Sequence, residues 1–278
     1  MKERRIEHIS IHKINAGQIN ETDDKVAVEE PLQIELEYST ASGRMQKNIA
    51  VTMRTPGNDE ELAAGFLFTE GIIKNATAIS EIKRSHADGN IVQVILKENI
   101  IPVLGNAARN FYTTSSCGIC GKASIDAINS VSVFTAAKDS ININATILYN
   151  LQDKIKEQQH VFEDTGGIHA SALFDCTGNF ILLREDVGRH NALDKIIGAA
   201  LMKNELPLNN CMLFLSGRAS FELVQKAVMA GIKVIAAVGA PSSLAVEMAE
   251  ENGITLIGFL KSNRFNIYSG KDRIDTPP

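Results

Sequence analysis

The sequence predicts an α/β chain, α+β overall, with a smaller β-rich N-terminal domain and a C-terminal domain built around a parallel sheet. Three observations predict it. Polar and apolar residues alternate in the first third of the chain. In the last third, apolar runs of strand length alternate with segments of helical periodicity. The connections between those runs are short, as right-handed crossovers require. With 278 residues, 44% of them hydrophobic, the chain has material for one large domain or two modest ones.

Residues 33–38 (QIELEY) and 45–53 (MQKNIAVTM) alternate, and Ala41-Ser42-Gly43 between them supplies turn chemistry, so a hairpin is expected. A helix follows, with Asn58 as its cap, Asn58 and Glu61 in the spacing of a capping box, and Leu62, Phe66 and Leu67 as its apolar stripe. Gly71 ends it. Residues 91–96 read as a short strand. From 106 to 121 periodicity is lost, a helix is expected near 122–131, and 135–144 reads as a linker. Residues 145–159 read as one helix with Leu148, Leu151 and Ile155 on a single face. The domain boundary is placed in the linker, giving residues 1–137 and 138–278.

Residues 168–175 and 180–185 read as a hairpin around Cys176-Thr177-Gly178-Asn179. A helix over 191–203 turns Leu193, Ile196, Ile197, Ala200 and Leu201 inward, with Asn191 as an ordinary cap. Three apolar runs follow at 211–215, 234–238 and 254–260, separated by helices at 220–230 and 243–251. If those strands are parallel, their C-terminal ends share one edge, where open α/β sheets bind ligands. Ser216-Gly217-Arg218 follows the first strand, Gly239-Ala240-Pro241-Ser242-Ser243 the second, and Lys261-Ser262-Asn263-Arg264 the third. Two helix N-termini with small residues, plus Arg218, Lys261 and Arg264, would make an anion site. The same glycines also suit plain strand-to-helix turns, with Ser220 and Ser243 as caps. Residues 184–191 (REDVGRHN) could place His190 and Asn191 against a ligand or form a charged surface cluster. His169 in residues 163–169 (EDTGGIH) suits a satisfied half-buried histidine.

Lys and Arg number 28 against 33 Asp and Glu, a net charge of −5. Such a chain is not a general nucleic-acid or membrane-surface binder, since no basic excess neutralises phosphates. The N-terminus lacks the apolar stretch of a signal peptide, and no window approaches the roughly 18–20 apolar residues of a membrane span. A soluble, cytoplasmic protein is expected.

Four cysteines are too few for a disulfide scaffold. Cys211 opens an apolar run, and nothing beside Cys176 activates it. Cys117 and Cys120 differ, because they lie in a loop of small residues (113–121, TTSSCGICG) just ahead of an expected helix N-terminus. That setting favours the thiolate and leaves the sulfur open to a large partner. Structural zinc calls for a second ligand pair, which the chain lacks. Zinc deaminases carry H-x-E before P-C-x-x-C, whereas here His169-Ala170-Ser171 lacks the glutamate and the cysteines come first. A dithiol redox centre and a sulfur carrier stand level on chemistry alone, with zinc behind them and inert cysteines as the plain alternative.

Taken together, the motifs resemble the formate dehydrogenase accessory sulfurtransferase (FdhD) family. The matching stretches are 113–121 (TTSSCGICG), 163–172 (EDTGGIHASA), 184–195 (REDVGRHNALDK), 216–220 (SGRAS), 239–243 (GAPSS) and 258–268 (GFLKSNRFNIY). Residues 54–66 (RTPGNDEELAAGF) add an early match. The resemblance implies a sulfur carrier that accepts persulfide sulfur from a cysteine desulfurase. It would pass that sulfur to the bis-molybdopterin guanine dinucleotide form of the molybdenum cofactor before insertion into the formate dehydrogenase apoenzyme. It implies that the persulfide falls on Cys117, with Cys120 assisting. It also implies that the cofactor, bound as a substrate, meets Phe259, Leu260, Lys261, Ser262, Asn263 and Arg264. A homodimer, a cytidine-deaminase-like α/β/α C-terminal domain and no structural metal complete the expectation. The rival readings are a non-catalytic chaperone that binds and docks the cofactor, and a dithiol oxidoreductase.

Overall fold

In a computed structural model of the protein, residues 4–85, 89–104, 111–112, 134 and 141–275 are described. Two antiparallel strands, β1 (Ile6–Asn15) and β2 (Gln18–Ala27), form an N-terminal hairpin turning on Ala16 and Gly17, both at positive φ. Nothing in the sequence marks this hairpin, because most of its side chains are exposed and no core demands an alternating pattern.

The hairpin expected over 33–53 is present as β3 (Glu30–Thr40) and β4 (Gly43–Arg54). Leu32, Ile34 and Leu36 on β3 are fully buried. These strands belong to a five-stranded sheet with β5 (Ile79–Arg84), β6 (Ile91–Leu96) and β7 (Phe111–Tyr112), in the order β5-β6-β3-β4-β7.

Helix α1 (Asp59–Thr69) follows β4, but the expected capping box does not form. Asn58 sits at φ 59°, ψ 35°, and its side chain caps nothing. The first-turn carboxylates have other partners. Arg54 holds Asp59 at 3.0 Å, Arg84 bonds the same carboxylate, and Glu61 accepts from Arg184 at 2.7 Å. Gly71 at φ 72° follows the end of the helix, as expected.

The single helix expected over 145–159 is broken. Strand β8 (Ile143–Asn144) leads into α2 (Ala145–Tyr149), α3 (Leu151–Lys156) and α4 (His160–Thr165). The break falls at Asn150, whose Nδ2 turns back to the Thr146 carbonyl at 3.2 Å. Leu148, Leu151 and Ile155 are buried together, as the stripe predicts.

The second sheet has six strands, β9 (His169–Asp175), β10 (Phe180–Asp186), β11 (Cys211–Leu215), β12 (Val234–Ala237), β13 (Thr255–Lys261) and β14 (Arg264–Ser269), in the order β10-β9-β11-β12-β13-β14. Strands β11, β12 and β13 are parallel, as the three apolar runs predict, with the antiparallel β9–β10 hairpin on one side and antiparallel β14 on the other. Helices α5 (Arg189–Met202), α6 (Phe221–Met229) and α7 (Ser243–Glu251) connect the strands. The short β15 (Ile274–Asp275) pairs with β8, so the end of the expected linker is strand. The cap of α5 is Gly188, not Asn191, and the cap of α7 is Ser242, whose Oγ accepts from the Ala245 N–H, not Ser243.

Both faces of the six-stranded sheet are covered, which explains why its strands read as continuous apolar runs. Phe174, Met212, Phe214 and Val234 face α2 and α3. Leu173, Leu213, Leu215 and Ile235 face α5 and α6. That second cluster continues through α1 to the five-stranded sheet, so one apolar core spans both halves of the chain. The boundary placed after residue 137 lies outside the described residues. Among the described residues, no helix is long and apolar enough to cross a membrane.

Candidate functional site

The three loops at the C-terminal ends of β11, β12 and β13 lie side by side. Gly239 N–H donates to the Gly217 carbonyl at 2.9 Å and Ala219 N–H to Ala240 at 3.2 Å, extending the parallel ladder beyond the strands. A β-carbon on Gly239 would lie 2.9 Å from Arg218 Cα, so only glycine lets these loops approach. Phe259 N–H donates to the Gly239 carbonyl at 3.2 Å and brings the third loop in. Phe259 does so at φ 53°, at a bulge between Gly258 and Lys261, and the residue is 43% exposed. A left-handed aromatic residue stores about 1–3 kcal/mol of strain, the kind that clusters at functional sites.

Lys261 pairs with Arg264 to close a two-residue turn at Ser262 and Asn263, and all four residues are exposed. Arg218 is exposed too. Among the described residues no ion pair or hydrogen bond engages the Arg218, Lys261 or Arg264 side chains, and free cations at a sheet edge suit an anion. The structure thus joins Ser216, Gly217 and Arg218 to Phe259 through one hydrogen-bonded loop layer. Leu260 differs, since its side chain is wholly buried and its carbonyl accepts from Gln152 Nε2 at 2.8 Å.

Beside this edge, towards α3 and α4, lies a cleft of about 430 Å³. Ile155, Phe162, Phe214 and Val238 give it apolar walls, and Gln152, Gln159, His169 and Ser216 give it polar ones. Ser216 Oγ accepts from the Ala170 N–H at 2.8 Å. Burial, with Arg189 and His190 nearby, holds the His169 ring below the usual histidine range, so it is neutral at pH 7. The glutamines were missed in the sequence. The signal was there: Gln159 stands four residues after Ile155, where the buried stripe calls for an apolar side chain.

The polar stretch 184–191 is largely structural. Arg184 pairs with Glu61, and Glu185 accepts from the N–H groups of Val161 and Phe162 at 3.2 and 2.9 Å. Asp186 meets Lys195 Nζ at 2.7 Å, both wholly buried, while Lys195 also donates to the Thr55 carbonyl at 2.9 Å. Thr55 N–H returns a bond to Asp186 at 3.3 Å. Asn191 bonds the Met53 carbonyl at 2.8 Å, so this stretch clamps the end of β4 onto α5. His190 Nε2 lies 3.9 Å from Glu222, and that contact holds the Glu222 carboxyl down at about 2. Cys117 and Cys120 lie outside the described residues. Among those that are described, no group of three or more His, Cys, Asp or Glu is placed to hold a metal ion.

A model of the FdhD/NarQ family matches residues 27–275. A protein named sulfur carrier protein FdhD from Mycolicibacterium paratuberculosis is 47% identical over 98% of this chain and 97% of its own length. One of the same name from Sulfurisphaera tokodaii is 40% identical over 97% of this chain and 99% of its own. In fold, the chain is similar to the crystal structure of a protein described as a formate dehydrogenase accessory protein from Desulfotalea psychrophila. The two superpose with a TM-score of 0.76 over 98% of this chain and all of that one, at 24% identity.

Proposed function

Because the chain belongs to the FdhD/NarQ family, we propose that it is a sulfur carrier in formate dehydrogenase maturation. The reading is carried by end-to-end similarity to relatives named sulfur carrier, at 40% and 47% identity. In this proposal the Cys117 thiolate attacks the outer sulfur of a cysteine desulfurase persulfide. A sulfur–sulfur bond forms at Cys117 as the donor's bond breaks and the desulfurase cysteine leaves as thiolate. The transfer therefore consumes no oxidant or reductant. Cys120 assists.

The recipient in this reading is the bis-molybdopterin guanine dinucleotide cofactor, a substrate bearing pyrophosphate groups. Exposed Arg218, Lys261 and Arg264 suit that polyanion, and partly exposed Phe259 offers a face to a ring. The loaded cofactor would pass to the formate dehydrogenase apoenzyme, with the carrier acting as a cytoplasmic homodimer.

Intact-protein mass after incubation with a cysteine desulfurase and cysteine tests the carrier step. A gain of one sulfur atom, lost on reduction and absent in Cys117→Ala, is expected. No gain, or a gain that survives in Cys117→Ala, overturns the assignment. Arg264→Ala should load sulfur normally and bind GDP, a probe for the cofactor's nucleotide end, more weakly.

A further inference from the structure

The N-terminal hairpin stands apart from both larger sheets. Among the described residues its strands pair with each other and with no third strand, so β1 and β2 each keep a free edge about 33 Å long. A lone two-stranded ribbon is marginally stable, and an unguarded edge is a template for another strand. The two edges are guarded differently. Strand β2 carries Glu21, Asp23 and Asp24 near its middle, so a second β2 laid antiparallel on it would set carboxylates against carboxylates. Strand β1 has no proline and no bulge, pairs with β2 in unbroken register, and holds Ile9 and Ile14 exposed.

Strand β1 is also complementary to itself. At the base of the hairpin the Arg5 carbonyl accepts from the Val28 N–H at 3.0 Å. Odd-numbered residues of β1 therefore turn their backbone groups towards β2, and even-numbered ones turn theirs outward. Two such edges pair in registers that set even residues against even. Centred on Ser10, antiparallel pairing of two copies places Ile6 opposite the partner's Ile14 and Glu7 opposite the partner's Lys13. It also places His8 opposite the partner's His12 and Ile9 opposite the partner's Ile11. Opposite residues share a face, so the Ile9 and Ile11 side chains of both copies form one apolar patch with a Glu–Lys pair at each end. Centring on Ile9 instead sets Glu7 against Ile11, and centring on Ile11 sets Lys13 against Ile9, so either shift loses both ion pairs. Glu7 has an exposed contact to Arg4 at 3.2 Å, and no ion pair engages Lys13 among the described residues.

We propose that a second copy of this chain pairs its β1 with this one in the register centred on Ser10. The product is a four-stranded antiparallel sheet, β2-β1-β1-β2, with a two-fold axis at Ser10. The proposal rests on the homodimer reading above, to which it gives an interface, and the sulfur-carrier assignment does not depend on it.

Sedimentation velocity of the full-length protein over a dilution series tests the interface. The unsubstituted protein should dimerise. Ser10→Pro removes an outward N–H and spares the β1–β2 ladder, so it should weaken the dimer about tenfold or more. Glu7→Lys and Lys13→Glu should each weaken it about tenfold by setting like charges opposite each other. Mixing those two variants restores both opposite-charge pairs, and a heterodimer as tight as the unsubstituted dimer is expected. A dimer undisturbed by Ser10→Pro and by both charge variants overturns the β1 interface and leaves the homodimer standing. Charge variants that associate no better when mixed than alone overturn the register, and the proposal with it. An unsubstituted protein that is monomeric at every concentration overturns both the interface and the homodimer.

Discussion

Gly65 and Gly198 meet where α1 crosses α5, and neither has room for a β-carbon. One built on Gly65 would lie 1.9 Å from the Asp194 carbonyl oxygen, and one on Gly198 1.8 Å from that of Glu61. The two helices therefore touch backbone to backbone, with no side chain between them at the crossing. This contact joins the two halves of the apolar core.

Gly65→Ala or Gly198→Ala should accordingly cost about 3 kcal/mol or more, at or beyond the upper end for overpacking. The obstacle is a carbonyl of a packed helix and cannot swing aside. Urea denaturation measures the loss. Gly167→Ala, where the nearest atom lies 3.8 Å away, should leave the midpoint unchanged.

Lys195→Met removes one partner of a wholly buried ion pair and leaves the Asp186 carboxylate buried without its counter-charge. A loss of about 3–5 kcal/mol is expected. Asp186→Asn combined with Lys195→Met should recover part of it. The pair of urea midpoints checks this, and equal losses in the single and double variants would contradict it.

The acid limb of stability should report Glu222. Its folded-state value of about 2 lies below the ordinary 4.5, so the folded protein binds fewer protons than the unfolded chain between those pH values. The stabilisation is complete above pH 4.5 and fades as pH falls towards 2. Glu222→Gln should flatten the urea-midpoint profile in that window. His169, also held down, adds a further decline as pH falls below 6.5, because burial resists its protonation.

GDP affinity should fall as salt rises, because Arg218, Lys261 and Arg264 are exposed and screened over about 10 Å at 0.1 M ionic strength. The Lys261→Ala, Arg264→Ala double variant should show a shallower salt dependence as well as weaker binding. A salt slope identical to that of the unsubstituted protein would exclude these residues from contact with the nucleotide's phosphates.

Elements with a buried face were legible in the sequence. The alternation of Leu32, Ile34 and Leu36 and the runs of β11, β12 and β13 are imposed by burial, and a one-residue slip would expose each set. The β1–β2 hairpin was illegible because it has little buried face to mark it. The Asn58 box failed for a different reason. Local spacing allowed it, but Arg184, 123 residues from Glu61, claimed the carboxylate. The same holds for Asn191, read as a cap and found bonded to the Met53 carbonyl, 138 residues away.

At the candidate site the division is similar. The sequence by itself determined which residue types meet at the edge, since parallel strands must deliver Ser216, Gly239 and Lys261 to one side of the sheet. It also singled out Cys117 and Cys120 by spacing and by their small neighbours. The packed structure alone shows that Leu260 turns into the core, that Arg218, Lys261 and Arg264 have no ion-pair partner among the described residues, and that Gln159 borders a cleft. Strand direction and periodicity are local properties written in consecutive residues. Which charges find partners and which polar groups are left facing a cavity depends on atoms brought together from across the chain, so those features appear only once the helices and sheets have packed.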